Sequence, residues 1–146
     1  QRVATLSRRP EPSPVPSPMI IRVVASVIEI EGKLLLCQRP AHKRHGGLWE
    51  FPGGKVEAEE SDFEAVEREL AEELGVRVVE VGAVELSVQD PGSHFVIEFL
   101  PVRIEGEPRA LEHAALAWVG EDDLPGLELA PSDRRYASYR LEAVAE

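Results

Sequence analysis

The chain has 146 residues, a formal net charge of −11 and 43% hydrophobic residues. This length fits one domain, and the composition excludes a disordered chain. The negative charge disfavours a polynucleotide partner, because the protein would repel nucleic-acid phosphates. No apolar run approaches about 18 residues and no hydrophobic leader is recognisable, so we expect no membrane span, no signal peptide and a cytoplasmic protein.

The first eighteen residues differ in composition from the rest. Five prolines alternate with polar or small residues between Pro10 and Pro18. Repeated proline fixes φ and removes backbone donors, which predicts an extended, flexible arm over residues 1–18. The globular domain is therefore expected over residues 19–146.

The remaining sequence predicts strands and two helices. Segments rich in β-branched and aromatic residues predict strands over 20–30, 33–38, 48–51, 76–86, 94–104 and 115–119. One helix is predicted from Ser61, which forms a capping box with Glu64, to Gly75, and a second over 131–144. Strands and helices without regular βαβ alternation predict an α/β fold with a mixed β-sheet between α-helices.

Two features around the first helix are predicted from local patterns. The strand 48–51 is expected to stop at residues 52–54, whose glycines let the backbone bend sharply and approach other groups closely. The face that packs against the sheet is predicted from apolar residues at helical spacing: Phe63, Val66, Leu70 and Leu74.

Three glutamates of this helix, Glu69, Glu72 and Glu73, stand at i, i+3 and i+4. These spacings place them on one helix face, where like charges destabilise the helix by about 0.2–0.5 kcal/mol per pair. A divalent cation reverses that cost, and carboxylate oxygens suit hard cations such as Mg²⁺ and Mn²⁺. Arg68 can hold a neighbouring carboxylate in position with its planar guanidinium. The alternative interpretation is a solvated acidic helix face.

A longer pattern surrounds these glutamates. The fixed positions of G-x5-E-x7-R-E-U-x-E-E-x-G-U, with U aliphatic, are filled by Gly54, Glu60, Arg68, Glu69, Leu70, Glu72, Glu73, Gly75 and Val76. The stretch therefore resembles the box of the Nudix hydrolase family at every constrained position. The order of elements over residues 20–143 agrees with the fold that this resemblance implies, the Nudix fold, an α/β/α sandwich.

The resemblance implies a hydrolase that cleaves phosphoanhydride bonds with Mg²⁺, for which Mn²⁺ substitutes. The metal ligands it implies are Gly54, Glu60, Glu69, Glu72, Glu73 and Glu112. The catalytic residues it implies are Arg68, Glu69, Glu72, Glu73 and Glu112. Glu112 stands six residues before Trp118, in the loop where MutT-type members carry a metal-linked glutamate. Family members differ in their general base, so a box glutamate and Glu112 both stay open for that role.

Residues 48–57 resemble the MutT-type branch, which converts nucleoside triphosphates to monophosphates and pyrophosphate. The substrate-binding residues that this branch implies are Arg39, Gly53, Gly54 and Asp133. Asp133 matches a base-reading position, and an ionised Asp favours a base with an exposed amino group, such as cytosine. An oxidised or otherwise modified base stays open, which would make the enzyme a sanitiser of the nucleotide pool. The alternatives are a loop salt bridge for Arg39 and a helix N-terminal acid for Asp133.

Several other interpretations stay open. ADP-ribose is the rival substrate, because Pro91 stands about where that branch carries a proline, although a turn explains Pro91 equally well. A nucleotide sensor is the non-enzymatic alternative, and it is disfavoured because no box residue is missing. Two interpretations are open for the basic segment of Lys43, Arg44 and His45: it attracts the phosphates of the substrate, or it is ordinary surface charge. The expected partner is a small-molecule nucleotide, and the protein is expected to be a monomer or a homodimer.

Overall fold

The structure is a computed structural model that describes residues 19–145, so the predicted arm over residues 1–18 lies outside the described residues. Within residues 19–145, neither α-helix has the length and apolar character that a membrane crossing needs. The elements in chain order are β1 (Ile21–Val27), β2 (Glu29–Ile30), β3 (Lys33–Gln38), β4 (Trp49–Glu50), β5 (Gly53–Lys55), α1 (Asp62–Leu74), β6 (Arg77–Val81), β7 (Leu86–Val88), β8 (Phe95–Glu105), β9 (Ala115–Gly120), a 3-10 helix (Glu121–Gly126) and α2 (Pro131–Ala145).

The strands form two sheets. The first has the order β5-β1-β8-β6, with β7 also paired to β8; the β1–β8 pair is parallel and the others are antiparallel. In the second, β3 pairs antiparallel with β2, β4 and β9. The prediction of one strand over 20–30 is wrong at Ile28, where the chain passes from the first sheet to the second.

The β layer lies between two apolar clusters. In β3, Leu35 and Cys37 belong to one cluster, and Leu34 and Leu36 belong to the other. Alternate residues of a strand point to opposite faces, so the clusters lie on opposite sides of the β layer. Helix α1 contributes Ala65, Val66, Leu70 and Leu74 to the first cluster, and α2 contributes Tyr136 and Ala137 to the second. The predicted α/β/α arrangement is confirmed.

Both ends of α1 are as predicted. The Ser61 hydroxyl accepts a hydrogen bond from the Glu64 backbone N–H, and the Glu64 carboxylate accepts one from the Ser61 N–H. Gly75 ends the helix with a φ of 70°, a conformation that costs glycine little. These two ends fix where the glutamates of α1 stand along the helix.

Two local predictions are wrong and one strand was not predicted. The predicted strand 76–86 is interrupted after β6, where Gly82 packs so closely that a Cβ would lie 2.6 Å from the Pro101 side chain. The strand before residue 52 stops as predicted, but Gly53–Lys55 then form a strand of their own, β5, which pairs with β1. Phe63 is 38% exposed, whereas Ala65 is fully buried and completes the packed face of α1.

The second cluster is built around the fully buried ring of Phe99. This ring stacks on Tyr136 at 4.6 Å between centroids and meets Phe51 edge-on at 5.9 Å. Phe99→Ala should lower the free energy of unfolding by about 3–5 kcal/mol, because it leaves a cavity and removes both aromatic contacts. Urea denaturation measures the loss, with the exposed Phe63→Ala as control, expected within about 0.5 kcal/mol of wild type. Equal losses in the two variants would contradict this packing.

Candidate active site

Two glycines bring the backbone of β5 against β1 and α1. A Cβ at Gly53 would lie 1.9 Å from the carbonyl oxygen of Val24, and φ at Gly53 is 152°. A Cβ at Gly54 would lie 2.3 Å from the carboxylate of Glu69. Glycine is therefore required at both positions for this close approach. The predicted role of these residues as points of close backbone contact agrees with their geometry.

Glu73 is a buried acid beside this backbone. It is 7% exposed, and its carboxylate accepts a hydrogen bond of 3.2 Å from the Gly53 N–H. Burial, and next the negative charge of Glu69, raise the pKa of Glu73 to about 9. At neutral pH this side chain holds a proton unless a positive charge comes close.

Arg68 contacts the acidic side chains on its side of the helix. Its Nε and Nη2 donate to Glu60 at 2.8 and 2.9 Å, and its Nη1 lies 3.0 Å from Glu69 and 3.5 Å from Glu72. It also donates to the carbonyl of Lys55 at 3.0 Å. The guanidinium lowers the pKa of Glu60 to about 2, and the Glu60 carboxylate in turn raises the pKa of Arg68. Arg68 thus pairs with these carboxylates, which is the contact that its predicted orienting role requires.

The three box glutamates do not converge on one point. Among the residues that the structure describes, no three acidic, histidine or cysteine side chains lie close enough to enclose an ion. Glu69 and Glu72 approach Arg68, whereas Glu73 points to the backbone of Gly53. The positive charge beside Glu69 and Glu72 is the Arg68 guanidinium.

These residues nevertheless fit a hard divalent cation. Their donor atoms are carboxylate oxygens, which Mg²⁺ and Mn²⁺ prefer. Glu69 and Glu73 are close enough for the charge of one to raise the pKa of the other. Gly54 leaves room for a carboxylate to lie against the main chain. A divalent cation would replace the proton of Glu73, a carboxyl group that Arg68 does not contact.

An open cleft with a volume of about 540 Å³ lies beside Glu73. Sites for small molecules have volumes of roughly 300–1,000 Å³. The cleft is lined by six of the predicted site residues: Arg39, Gly53, Gly54, Glu73, Glu112 and Asp133. It is also lined by the basic segment of Lys43, Arg44 and His45. Of the described site residues, four do not line it: Glu60, Arg68, Glu69 and Glu72.

Asp133 is a second buried acid in this cleft. Bonds of 2.8 Å from Trp49 N to the Glu128 carbonyl and from Ala130 N to the Trp49 carbonyl tie the start of α2 to β4. Asp133 is 8% exposed and accepts a hydrogen bond of 2.8 Å from the Phe51 N–H. Burial raises the pKa of Asp133 to about 7, although the Phe51 N–H opposes the change. Asp133 thus stands in the first turn of α2, as its alternative interpretation requires, and also binds the main chain at Phe51.

Glu112 lies in a loop that is tied to α1. The N–H of Leu111 donates to the Glu73 carbonyl at 3.1 Å, and that of Arg109 donates to the Leu74 carbonyl at 2.9 Å. These bonds bring the exposed Glu112 side chain to the same cleft as Glu73.

Sequence reasoning missed two residues of the cleft wall, Glu50 and His113, which form a group with the predicted Arg39. Arg39 forms the salt bridge that was its alternative interpretation, with its Nη1 3.0 Å from Glu50. The second Glu50 oxygen lies 2.9 Å from Nε2 of His113. No local pattern connects these two residues, because they stand 63 positions apart in sequence. Two sequence features could have indicated these site residues: Glu50 lies within residues 48–57, which resemble the MutT-type branch, and His113 lies beside Glu112.

Comparisons with known proteins identify the family. Residues 19–140 match the family model described as the NUDIX domain. The chain is 44% identical over 117 residues to the CTP pyrophosphohydrolase of Escherichia coli K12, covering 78% of this chain and 86% of the relative. It is 37% identical over 115 residues to the putative 8-oxo-dGTP diphosphatase 2 of Mycobacterium tuberculosis H37Rv, covering 77% of this chain and 82% of the relative.

Solved structures agree with this assignment. The solution structure of the E. coli ORF135 protein matches with a TM-score of 0.76 and 40% identity, covering 91% of this chain and 96% of the other. The MutT Nudix hydrolase of Burkholderia pseudomallei matches with a TM-score of 0.71 and 32% identity, covering 82% and 97% of the two chains. The chain therefore belongs to the Nudix family and is a hydrolase that acts on phosphoanhydride bonds.

Proposed function

We propose that this Nudix hydrolase is a Mg²⁺-dependent pyrophosphohydrolase of nucleoside triphosphates whose base carries an exocyclic amino group. Its products would be the nucleoside monophosphate and pyrophosphate. The observation that carries the proposal is the single cleft lined by both Glu73 and the buried Asp133. The names of two relatives support it, since cytosine and 8-oxoguanine both carry an amino group.

The box residues would bind the metal and the phosphates. Bound Mg²⁺ compensates the phosphate charge and acidifies the attacking water. Its ligands would come from the side chains of Glu60, Glu69, Glu72, Glu73 and Glu112 and from the carbonyl of Gly54. This charge compensation is needed because the protein itself carries a net charge of −11.

Arg68 and the backbone of β5 would hold these ligands in place. The two bonds from Arg68 to Glu60 fix both side chains in one plane, which favours a single orientation for the neighbouring Glu69. The N–H of Gly53 holds Glu73. Glu112, tied to α1 through the backbone of Leu111, is available in the cleft to take a proton from water. A box glutamate is the other candidate for that step.

Asp133 would read the base. One of its oxygens accepts from the Phe51 N–H, which leaves the second oxygen for a ligand in the cleft. Ionised Asp133 accepts a hydrogen bond from an amino group, whereas protonated Asp133 can donate to a carbonyl. Because its pKa is about 7, the preferred base would depend on pH near neutrality.

Removing a box carboxylate should reduce catalysis. Glu69→Gln and Glu72→Gln are each expected to lower kcat by a factor of about 10²–10⁴, because metal and phosphate charge are no longer balanced. Pyrophosphate release from CTP with Mg²⁺ measures the effect. Glu67→Gln, an exposed change on the same helix, serves as control and should retain wild-type activity. Full wild-type activity in a chelator would exclude the proposed mechanism.

The buried Glu73 predicts a pH-dependent stability of the metal-free protein. Its pKa is about 9 in the folded chain and 4.5 ordinarily, so the folded state binds one more proton between these values. Stability is therefore lost as pH rises through this window. Glu73→Gln removes the loss and keeps the acceptor for the Gly53 N–H. In chelator, the variant should gain in Tm over wild type at pH 8.5 and gain much less at pH 5, because pH 5 lies close to the ordinary pKa of 4.5 and little of the loss has accumulated there.

Thermal unfolding compares wild type with Glu73→Gln at the two pH values. A change of about 1 kcal/mol in the free energy of unfolding shifts Tm by roughly 2–4 °C. Added Mg²⁺ should raise the Tm of wild type and should raise that of Glu73→Gln much less. A gain in Tm that is equal at both pH values would show that Glu73 does not carry the proposed proton.

Base preference is tested with a panel of CTP, dCTP, 8-oxo-dGTP, UTP and ADP-ribose. The ratio of kcat/KM for CTP over UTP should rise between pH 6 and pH 8, as Asp133 ionises and becomes an acceptor alone. Asp133→Asn should lower the ratio by about ten-fold at pH 8 and remove its pH dependence, because an amide does not titrate. Its Mg²⁺ dependence should not change. Preferential cleavage of ADP-ribose by wild type would contradict the proposal.

A further inference from the structure

The carboxylate of Glu50 is held from two sides in the wall of the cleft. Its Oε1 lies 3.0 Å from Nη1 of Arg39, and its Oε2 lies 2.9 Å from Nε2 of His113. Arg39 is fixed in turn, since its Nε donates to the carbonyl of Arg44 at 2.7 Å. The Glu50 side chain is 20% exposed, so it still faces the cleft that Asp133 also lines.

The ring of His113 shows that this contact has a cost. Because a carboxylate paired with an arginine only accepts hydrogen bonds, Nε2 of His113 carries the proton in the contact with Glu50. In the neutral ring Nδ1 is then an acceptor. This atom is buried and has no hydrogen-bond partner within residues 19–145, and the side chain as a whole is 7% exposed. A buried acceptor without a partner destabilises the folded state.

An apolar side chain of similar size at position 113 would avoid that cost. Packing alone therefore does not account for the histidine. Residues that lower stability without a packing gain are concentrated at functional sites. The contact that His113 makes with Glu50 is the function that the geometry offers.

We infer that His113 is a positioning residue that, together with Arg39, holds Glu50 in one orientation as a hydrogen-bond acceptor for the exocyclic amino group of the substrate base. The inference rests on the proposed function and deepens it. An amino group has two N–H donors, and Glu50 and Asp133 provide two acceptors in one cleft. A base with a carbonyl oxygen at that place would meet two acceptors and have no donor to pair with them.

The test measures binding of the products CMP and UMP to the metal-free protein in chelator at pH 8. These ligands differ on one edge of the ring: at C4 cytosine has the amino group and uracil an oxygen, and N3 accepts a hydrogen bond in cytosine and donates one in uracil. Wild type should bind CMP about ten-fold more tightly than UMP, the effect of one hydrogen bond of ordinary strength. His113→Leu should reduce this preference to less than about three-fold, because Glu50 loses one of its two supports.

Two further variants separate positioning from folding. His113→Gln can still donate to Glu50 and should recover part of the CMP preference. His94→Leu, the same change at an exposed histidine outside the cleft, should leave the preference unchanged. Thermal unfolding of His113→Leu should give a Tm within about 2–4 °C of wild type, since removal of the unpaired Nδ1 offsets the loss of the bond to Glu50.

The outcomes distinguish this inference from the proposed function. A wild-type preference for CMP that persists in His113→Leu would overturn the positioning role and leave the base-reading role of Asp133 intact. Equal binding of CMP and UMP by wild type would overturn both. A large drop in Tm for both variants at position 113 would show that the imidazole serves folding, and would overturn the inference as well.

Discussion

The close approach of β5 to the carboxylates of α1 determines the rest of the site. Two adjacent glycines have no Cβ, so the main chain of β5 touches β1 on one side and Glu69 on the other. The pairing of the edge strand β5 with β1 then fixes this contact to the first sheet. Any larger residue at Gly54 would push β5 away from α1. The cleft would then lie farther from the box glutamates.

Electrostatics explains why an arginine stands among so many acids. The protein is strongly acidic, and Glu60, Glu69 and Glu72 lie close together. One guanidinium with five donors can pair with several carboxylates and fix their directions. Glu73 lies beyond its reach and is neutralised by a proton instead. The site thus has two ways of balancing charge, and a divalent cation bound by these glutamates would compete with both.

Local signals predicted much of this structure. Helix ends are set by neighbouring residues, so Ser61, Glu64 and Gly75 identified both ends of α1. The box pattern identified the family. The break at Ile28 was not predictable, because which sheet a strand joins is decided by partners far along the chain. The predicted burial of Phe63 was wrong for a related reason. Helical spacing defines which face of α1 is apolar, but it does not show how far the sheet extends beneath that face.

The sequence likewise predicted some residues of the site and missed others. Asp133, Glu112 and Arg39 were located by resemblance, and all three line the cleft. Glu50 and His113 were missed because they are 63 residues apart in sequence. The pattern of the box concerns one helix and its approach, whereas the opposite part of the cleft is assembled from several loops. Such contacts depend on the fold, so no local pattern in the sequence predicts them.

The loop that carries Glu112 is fastened to the end of α1 by main-chain bonds of Leu111 and Arg109. The last carbonyls of a helix have no partner inside it, so such bonds satisfy groups that would need one in any case. Every amino acid except proline supplies the same N–H. The side chains at positions 109 and 111 can therefore change while the anchoring of the loop, and with it the placement of Glu112, persists.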